Sequence, residues 1–289
     1  MQSVFSKSSG NYCPVRFAMC VGFLLLAQNV MAQFGAGSKI VKSIAATELL
    51  VVLDPVYGDE YNDGIQAAIK TYWTFTKYRF ISGPQYKMYC KDKKYSFLCR
   101  FEVKDAALTD EKFDNLGVIQ GGNCGQDIGD FAAYANLMVF SPKAYPTECI
   151  RAVQLLQNYL VLATENPVSN LKNWEEVMAL HNHNKRELPD KQLLLQLADC
   201  LEKYQDIRNI RNTYTRPVRF AEYDEIDAAI VAQNPDIIYH RLVFDSEGYR
   251  FHTFFCAKDN KILFMKQGQG SERVLLGKTN LAELMQTGP

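Results

Sequence analysis

The sequence predicts an α/β protein built from two tandem β-α-β-α-β pseudo-repeats, with largely parallel, partly mixed sheets joined by a helical pair. Two observations predict this fold. Short apolar runs typical of strands alternate with stretches of helical period, and the same order of elements occurs twice, about 140 residues apart. Alternating strands and helices favour a parallel sheet, because each crossover helix must bury its apolar stripe on that sheet.

The first repeat begins with a continuous apolar run at 48–53, which indicates a strand covered on both faces. Apolar residues then recur at helical spacing within 61–73. A strand, a short helix that Ser82 can cap, and a third strand complete the repeat at 77–81, 83–90 and 95–103. Two further strands are expected at 113–122 and 134–140.

The second repeat has the same order of strand, helix, strand, helix and strand, at 192–198, 204–214, 216–222, 223–233 and 236–244. A β-hairpin is expected at 249–266, because Asp259 and Asn260 supply a turn between two strand-like runs. A closing helix at 279–286 has Thr279 as its expected N-cap.

Two helices lie between the repeats, at 147–164 with Thr147 as the expected N-cap, and at 170–184. We therefore expect a first α/β module at 33–145 and a helical spacer at 146–186. A second α/β module, with the hairpin and the closing helix, is expected at 187–289.

Residues 1–32 have the layout of a secretory signal peptide. Their charged side chains, Lys7 and Arg16, are both positive, and an apolar run follows. Small residues, the second of them Ala32, precede Gln33, so cleavage is expected between Ala32 and Gln33. The alternative is a membrane anchor, but the run is shorter than the roughly 20 residues a spanning helix needs. We expect an exported chain, periplasmic or secreted, without a transmembrane segment once cleaved.

The composition is that of a globular protein, with 47% hydrophobic and 22% charged residues. Lysine plus arginine equals aspartate plus glutamate, at 32 each, so the chain has no net positive charge that would attract it to nucleic acid. We expect no nucleic-acid partner and no cofactor. Six cysteines follow residue 32, and an even number in an exported chain permits disulfides. The alternative is that several are small buried apolar residues.

Cys124 lies in a loop with three nearby glycines, which let the backbone approach a ligand closely. Its thiol is a candidate nucleophile if a histidine activates it. The alternative is a tight connection between strands, with the cysteine buried or disulfide-bonded. The histidines available as a base are His181, His183, His240 and His252.

Acidic residues follow the first strand and form a candidate cation site, made of Asp54, Asp59, Glu60 and Asp63. In α/β sheets, ligands collect at the carboxyl ends of strands. The spacing does not match a calcium-binding loop. The alternative is that these acids complement the dipole of the helix that they precede.

Each repeat resembles the α/β module of curli-secretion-type assembly lipoproteins in its order of strand, helix, strand, short helix and strand. In the first repeat, the later two strands are 77–81 and 95–103. The whole chain is also similar to uncharacterised exported proteins of the bacterial envelope with a tandem plan. The resemblance carries no catalytic motif and implies a non-enzymatic envelope role. The chain lacks the acylated cysteine of the lipoproteins, which argues against a membrane-tethered role.

We therefore expect an exported, non-enzymatic binding or envelope-assembly protein. It would act through an exposed sheet edge or through a cleft between the two halves, on an envelope protein or a glycan. The alternative is an exported hydrolase that uses the Cys124 loop or the Asp54–Asp63 segment.

Overall fold

The computed structural model describes residues 38–53, 55–104, 112–122, 131–137, 142–165, 174–244 and 250–286. These residues form two five-stranded mixed sheets with α-helices packed against them. The predicted α/β class and the two tandem sheet-and-helix units are confirmed.

The two sheets contain five consecutive strands each. The first sheet holds β1–β5, at Glu48–Leu53, Tyr78–Ser82, Tyr95–Lys104, Lys112–Gln120 and Phe131–Leu137. The second holds β6–β10, at Gln192–Leu195, Val218–Phe220, Ile237–Phe244, Arg250–Cys256 and Ile262–Gln267. The spatial orders are β2-β1-β3-β4-β5 and β7-β6-β8-β9-β10. In both sheets the first three strands pair in parallel, and the fourth and fifth are added by antiparallel pairing, so that the fourth strand runs opposite to the other four.

The described residues contain eight α-helices, α1–α8. Their bounds are Ser38–Ala45, Asp59–Tyr72, Gly83–Tyr89, Tyr145–Glu165, Trp174–Asn182, Ile207–Arg211, Tyr223–Val231 and Lys278–Met285. Within this part of the chain, none of the helices has the length and apolar character needed to cross a bilayer.

The duplication extends further than the sequence predicts. The fourth and fifth strands join both sheets in the same order and direction, so the hairpin β9–β10 corresponds to β4–β5. A helix follows the fifth strand in each half. Helix α4 packs against α2 of the first crossover, and Leu281 and Leu284 of α8 pack in one core with Ile210 of the first crossover in the second half.

Helix α4 is packed between the two sheets. Val153 and Leu156 of this helix lie in a single hydrophobic core with Val51 of β1 and with Tyr239 and Phe255 of the second sheet. A continuous apolar core thus joins the two halves, and it occupies the space in which the sequence suggests a cleft.

The first crossover of the second half differs from the prediction. A helix is expected at 204–214, but only Ile207–Arg211 is α-helical, after a short 3₁₀ segment at Glu202–Gln205. The carboxylate of Asp206 accepts the backbone N–H of Arg208 at 2.9 Å, which starts a new helix at that point.

Of the three predicted N-caps, Ser82 is confirmed at the start of α3, whereas Thr147 and Thr279 are wrong. Helix α4 begins at Tyr145, so Thr147 lies inside its first turn, where Pro146 favours helix initiation. Helix α8 begins at Lys278, and its first backbone N–H groups are capped by a more distant side chain. The carboxylate of Glu272 accepts from the N–H groups of Thr279 and Asn280, at 3.1 Å each.

The hairpin β9–β10 is confirmed as antiparallel, and its turn contains Asn260 with φ 53°. Asparagine is one of the few residues that adopt this left-handed conformation readily. The outer edge of β10 is covered by side-chain amides. Asn182 donates to the carbonyl of Met265 and accepts its N–H, at 3.0 and 2.7 Å, and Asn184 donates to Ile262 at 2.9 Å. These amides replace a neighbouring strand.

Candidate functional site

A cleft of about 630 Å³ lies at one end of the first sheet. Its aromatic lining residues are Tyr57, Tyr86, Phe101 and Phe131. Its charged lining residues are Lys87, Arg100, Glu102 and Asp114. Concave sites with apolar walls and a few polar groups are the usual form of ligand sites.

The cleft forms because β3 is longer than the strand beside it. The pairing of β1 with β3 ends at Val51 and Leu98, whereas β3 continues to Lys104. At the same end of the sheet, α3 starts directly after β2, where the side chain of Gln85 accepts the N–H of Ser82 at 2.8 Å. The cleft therefore lies outside the carboxyl ends of parallel strands, where α/β sheets commonly bind ligands.

Arg100 is fixed on the cleft wall by charge and by aromatic rings. Its Nε lies 3.1 Å from Oδ1 of Asp114, and its Nη2 lies 2.5 Å from Oδ2, a bidentate pair. The guanidinium also lies 4.9, 5.2 and 5.3 Å from the ring centroids of Tyr57, Tyr61 and Tyr145. Burial is the largest single influence and lowers the pKa of Arg100, but the hydrogen bond to Asp114, the charge of Asp114 and the neighbouring tyrosines together raise the pKa overall. The side chain is thus held rigidly in its charged form.

Two stacked rings form the apolar wall. The rings of Phe101 and Phe131 are nearly parallel, with centroids 3.9 Å apart, and Tyr134 meets Phe101 edge-on at 5.8 Å. They lie over Gly117, where an added Cβ atom would come within 2.4 Å of Phe131. The absence of a side chain at Gly117 therefore makes room for this wall.

The other polar groups differ in exposure. Lys87 and Glu102 are exposed, so both are accessible to a ligand. Cys99 also lines the cleft, but burial raises the pKa of its thiol to about 12. The thiol is protonated at neutral pH and is a poor nucleophile, because the thiolate is the reactive form.

The corresponding positions of the second half carry larger polar side chains. Strand register aligns Val52, Gly83 and Cys99 of the cleft with Gln196, Tyr223 and Arg241. Gln196 and Arg241 are each only 4% exposed. The two halves thus share a backbone plan but differ in side-chain volume at these three positions. The smaller side chains of the first half leave the cleft open.

The structure separates the acidic residues predicted as a cation site from the cleft. Asp59 and Glu60 lie in the first turn of α2 and Asp63 one turn later, all three exposed. Asp54 lies outside the described residues. Among the residues that are described, no group of three or more metal-ligating side chains comes together. The acids in the first turn complement the positive end of the helix dipole.

The remaining predicted site residues, Cys124, Ala32 and Gln33, lie outside the described part of the chain. Cys90 is disulfide-bonded. The other described cysteines are free, namely Cys99, Cys149, Cys200 and Cys256.

The sequence predicts a site at the carboxyl end of β1, and the cleft lies at that end but is lined by other side chains. The segment after β1 contributes Tyr57 to the cleft, and its hydroxyl donates to the carbonyl of Arg100 at 3.1 Å. The opposite charges of Arg100 and Asp114 were visible in the sequence. Only the antiparallel register of β3 with β4 makes them neighbours.

A comparison of the chain with models of known protein families, with curated proteins and with solved structures finds no match. The resemblance to envelope-assembly lipoproteins stays a prediction.

Proposed function

We propose that this protein is an exported, non-enzymatic binding or envelope-assembly module whose ligand occupies the cleft of the first half. The observation that carries the proposal is the combination of four aromatic side chains with charged side chains in one concave site. Aromatic faces stack on sugar rings or on aromatic side chains, and an apolar contact of this kind needs no chemical step.

The charges favour a polar ligand with an anionic group. Lys87 is exposed and can bind such a group, while Arg100 is already neutralised by Asp114. A segment of an envelope protein or a glycan fits this chemistry. Such a ligand would place its rings against Phe101 and its polar groups at the exposed rim.

The alternative, a hydrolase that uses the Cys124 loop or the Asp54–Asp63 segment, requires a general base within hydrogen-bond reach. None of the described lining residues is a histidine. The four histidines of the chain lie on α5, on the 3₁₀ segment after it, and on β8 and β9. The described lining of the cleft therefore contains no imidazole that could act as the base of a cysteine nucleophile.

Photo-crosslinking in the producing cell tests the proposal. A benzophenone amino acid replaces Lys87 in the cleft or Lys91, which is exposed just beyond α3 and does not line it. We expect one discrete adduct from position 87 and none from position 91. Equal labelling of many proteins from both positions, or no adduct from position 87, would contradict the proposal.

A binding measurement with the captured partner or with purified envelope glycan completes the test. Lys87→Glu reverses an exposed charge without disturbing the core, and we expect it to weaken binding about tenfold, or roughly 1.4 kcal/mol. Lys91→Glu is the matched control and should bind as the parent protein does. Turnover of the captured ligand by the purified protein would instead favour the hydrolase.

A further inference from the structure

A chain of hydrogen bonds connects buried imidazoles of the second sheet to one carboxylate. Nδ1 of His240 lies 3.2 Å from Oδ2 of Asp199, and Nε2 of His240 lies 3.0 Å from Nδ1 of His252. Nε2 of His252 lies 2.7 Å from the backbone carbonyl of Glu272. His240 and His252 are 1% and 0% exposed, whereas 24% of the Asp199 side chain is exposed. The chain thus meets solvent at Asp199.

The acceptors at both ends determine the number of protons. The carbonyl of Glu272 only accepts, so Nε2 of His252 carries a proton, and a carboxylate at Asp199 also only accepts. Two neutral imidazoles have two N–H groups, but three hydrogen bonds with acceptors at both ends need three protons. With only two protons, Nδ1 of His240 would carry none and would face the carboxylate of Asp199, so that two acceptors would oppose each other. Three intact bonds therefore require one proton beyond two neutral rings and a carboxylate.

We propose that Asp199, His240 and His252 form a buried proton-binding site that clamps the C-terminal segment to the second sheet and weakens when the proton leaves. The bound ligand is a single proton, shared between His240 and Asp199. This inference concerns the second half of the chain and does not depend on what the cleft binds.

The surroundings favour His240 over His252 as the carrier of the extra proton. Burial, reinforced by His240, lowers the pKa of His252 to about 3, so His252 stays neutral. Lys266 of β10 also disfavours charge on His252 and is itself bound to Glu283. The positive charge of the extra proton is thus on His240, beside the carboxylate of Asp199.

The other titratable groups around the chain are neutral or engaged elsewhere. Tyr223 of α7 interacts with the charge of Asp199 and stays neutral, because burial raises its pKa. The Cys200 thiol stays protonated, because burial raises its pKa to about 12. The carboxylate of Glu272 is turned to the N-terminus of α8, where it accepts from Thr279 and Asn280. On the sheet, the apolar ring of Phe254 lies 5.2 Å from the His240 ring.

The proton site joins segments that are far apart in the chain. The carbonyl of Asp199 accepts the N–H of Leu276 at 2.7 Å, and the carbonyl of Leu276 accepts the N–H of Leu201 at 3.0 Å. Glu272, whose carbonyl ends the chain, also caps α8. Loss of the proton therefore loosens both segments from β8 and β9 together.

Chemical denaturation between pH 7.5 and 8.5 tests the proposal. Unfolded histidines have pKa values near 6.5, so His181, His240 and His252 of the unfolded chain are mostly neutral in this range, and the folded chain then holds close to one proton more than the unfolded chain. The folding equilibrium constant should then fall by up to tenfold per pH unit. In Asp199→Asn the amide can donate to neutral His240, so this dependence should disappear. Asp206→Asn, an exposed cap on the same crossover, should keep it.

Nitrogen NMR of the two imidazoles in the unaltered protein gives an independent readout, which remains informative if Asp199→Asn does not fold. At pH 6.5 we expect both nitrogens of His240 to carry protons and Nδ1 of His252 to carry none. Two neutral rings at that pH would overturn the proposal. So would an Asp199→Asn variant with the same pH slope as the parent protein.

Discussion

His181 lies on the buried face of α5 with 4% of its surface exposed, and burial lowers its pKa to about 4. His183, two residues later, is exposed on the next 3₁₀ segment. Two histidines only two residues apart thus have different surroundings: His181 is buried and stays neutral in the folded protein, and His183 is in contact with water. Their difference comes from packing, because the two side chains are chemically identical.

We expect His181 to make the protein less stable in mild acid. Its pKa is lower in the folded than in the unfolded chain, so between pH 6.5 and 4 the unfolded chain binds the extra proton. The free energy of unfolding should fall by about 3 kcal/mol across that window because of this residue alone. Urea denaturation should show that His181→Leu has a shallower acid dependence, whereas His183→Leu keeps the parental one. Equal acid slopes in the two variants would show that His181 is not the cause.

At the scale of elements, the cleft depends on how β3, β4 and β5 fit together. Gly117 in β4 lies under the rings of Phe101 in β3 and Phe131 in β5. A glycine within a strand weakens the strand but lets large neighbours cover its backbone. The apolar wall of the cleft is thus a property of three adjacent strands rather than of one residue.

Gly117→Ala should displace the stacked rings, because the new Cβ atom would lie 2.4 Å from Cδ1 of Phe131. Overpacking of this kind typically costs about 1–3 kcal/mol, measurable as a lower midpoint in urea denaturation. The same change should weaken ligand binding in the cleft. In a Phe131→Leu background the smaller side chain leaves more room, so Gly117→Ala should cost less. The same cost in both backgrounds would mean that the ring contact is not responsible.

The halves of the molecule share α4, which carries a buried ion pair as well as apolar residues. Nη2 of Arg151 lies 2.6 Å from Oε2 of Glu148, and both side chains are almost completely buried. Arg151 also donates to the backbone carbonyl of Asn136 in β5. The electrostatic neighbours of Arg151 include Tyr239 and Asp227, which belong to the second half. The pair therefore lies where the two halves meet.

Arg151→Met should destabilise the whole protein, because it leaves the carboxylate of Glu148 buried without its cation. Loss of one partner of a buried pair costs about 3–5 kcal/mol. The double variant Glu148→Gln with Arg151→Met should recover part of that loss. Circular dichroism and fluorescence during denaturation should follow a single transition, since one core spans both sheets. Two separate transitions in the parent protein would contradict a shared core.

Much of the fold could be predicted because its signals are local. The apolar run at Glu48–Leu53 and the turn at Asn260 are visible in a few consecutive residues. The helix expected at 204–214 failed because apolar spacing does not reveal that Asp206 starts a new, shorter helix. The role of α4 was also missed, since an apolar stripe does not specify which sheet, or how many sheets, it covers.

Composition, period and the repeated order of elements were sufficient for the α/β class and for two similar halves, because neighbouring residues set helix, strand and turn. The cleft and the proton site depend on tertiary structure. Arg100 meets Asp114 through strand register, and Asp199 meets His240 only after the sheet has formed. Such contacts join side chains far apart in the chain, and their geometry comes from packing the whole core, which no local pattern encodes.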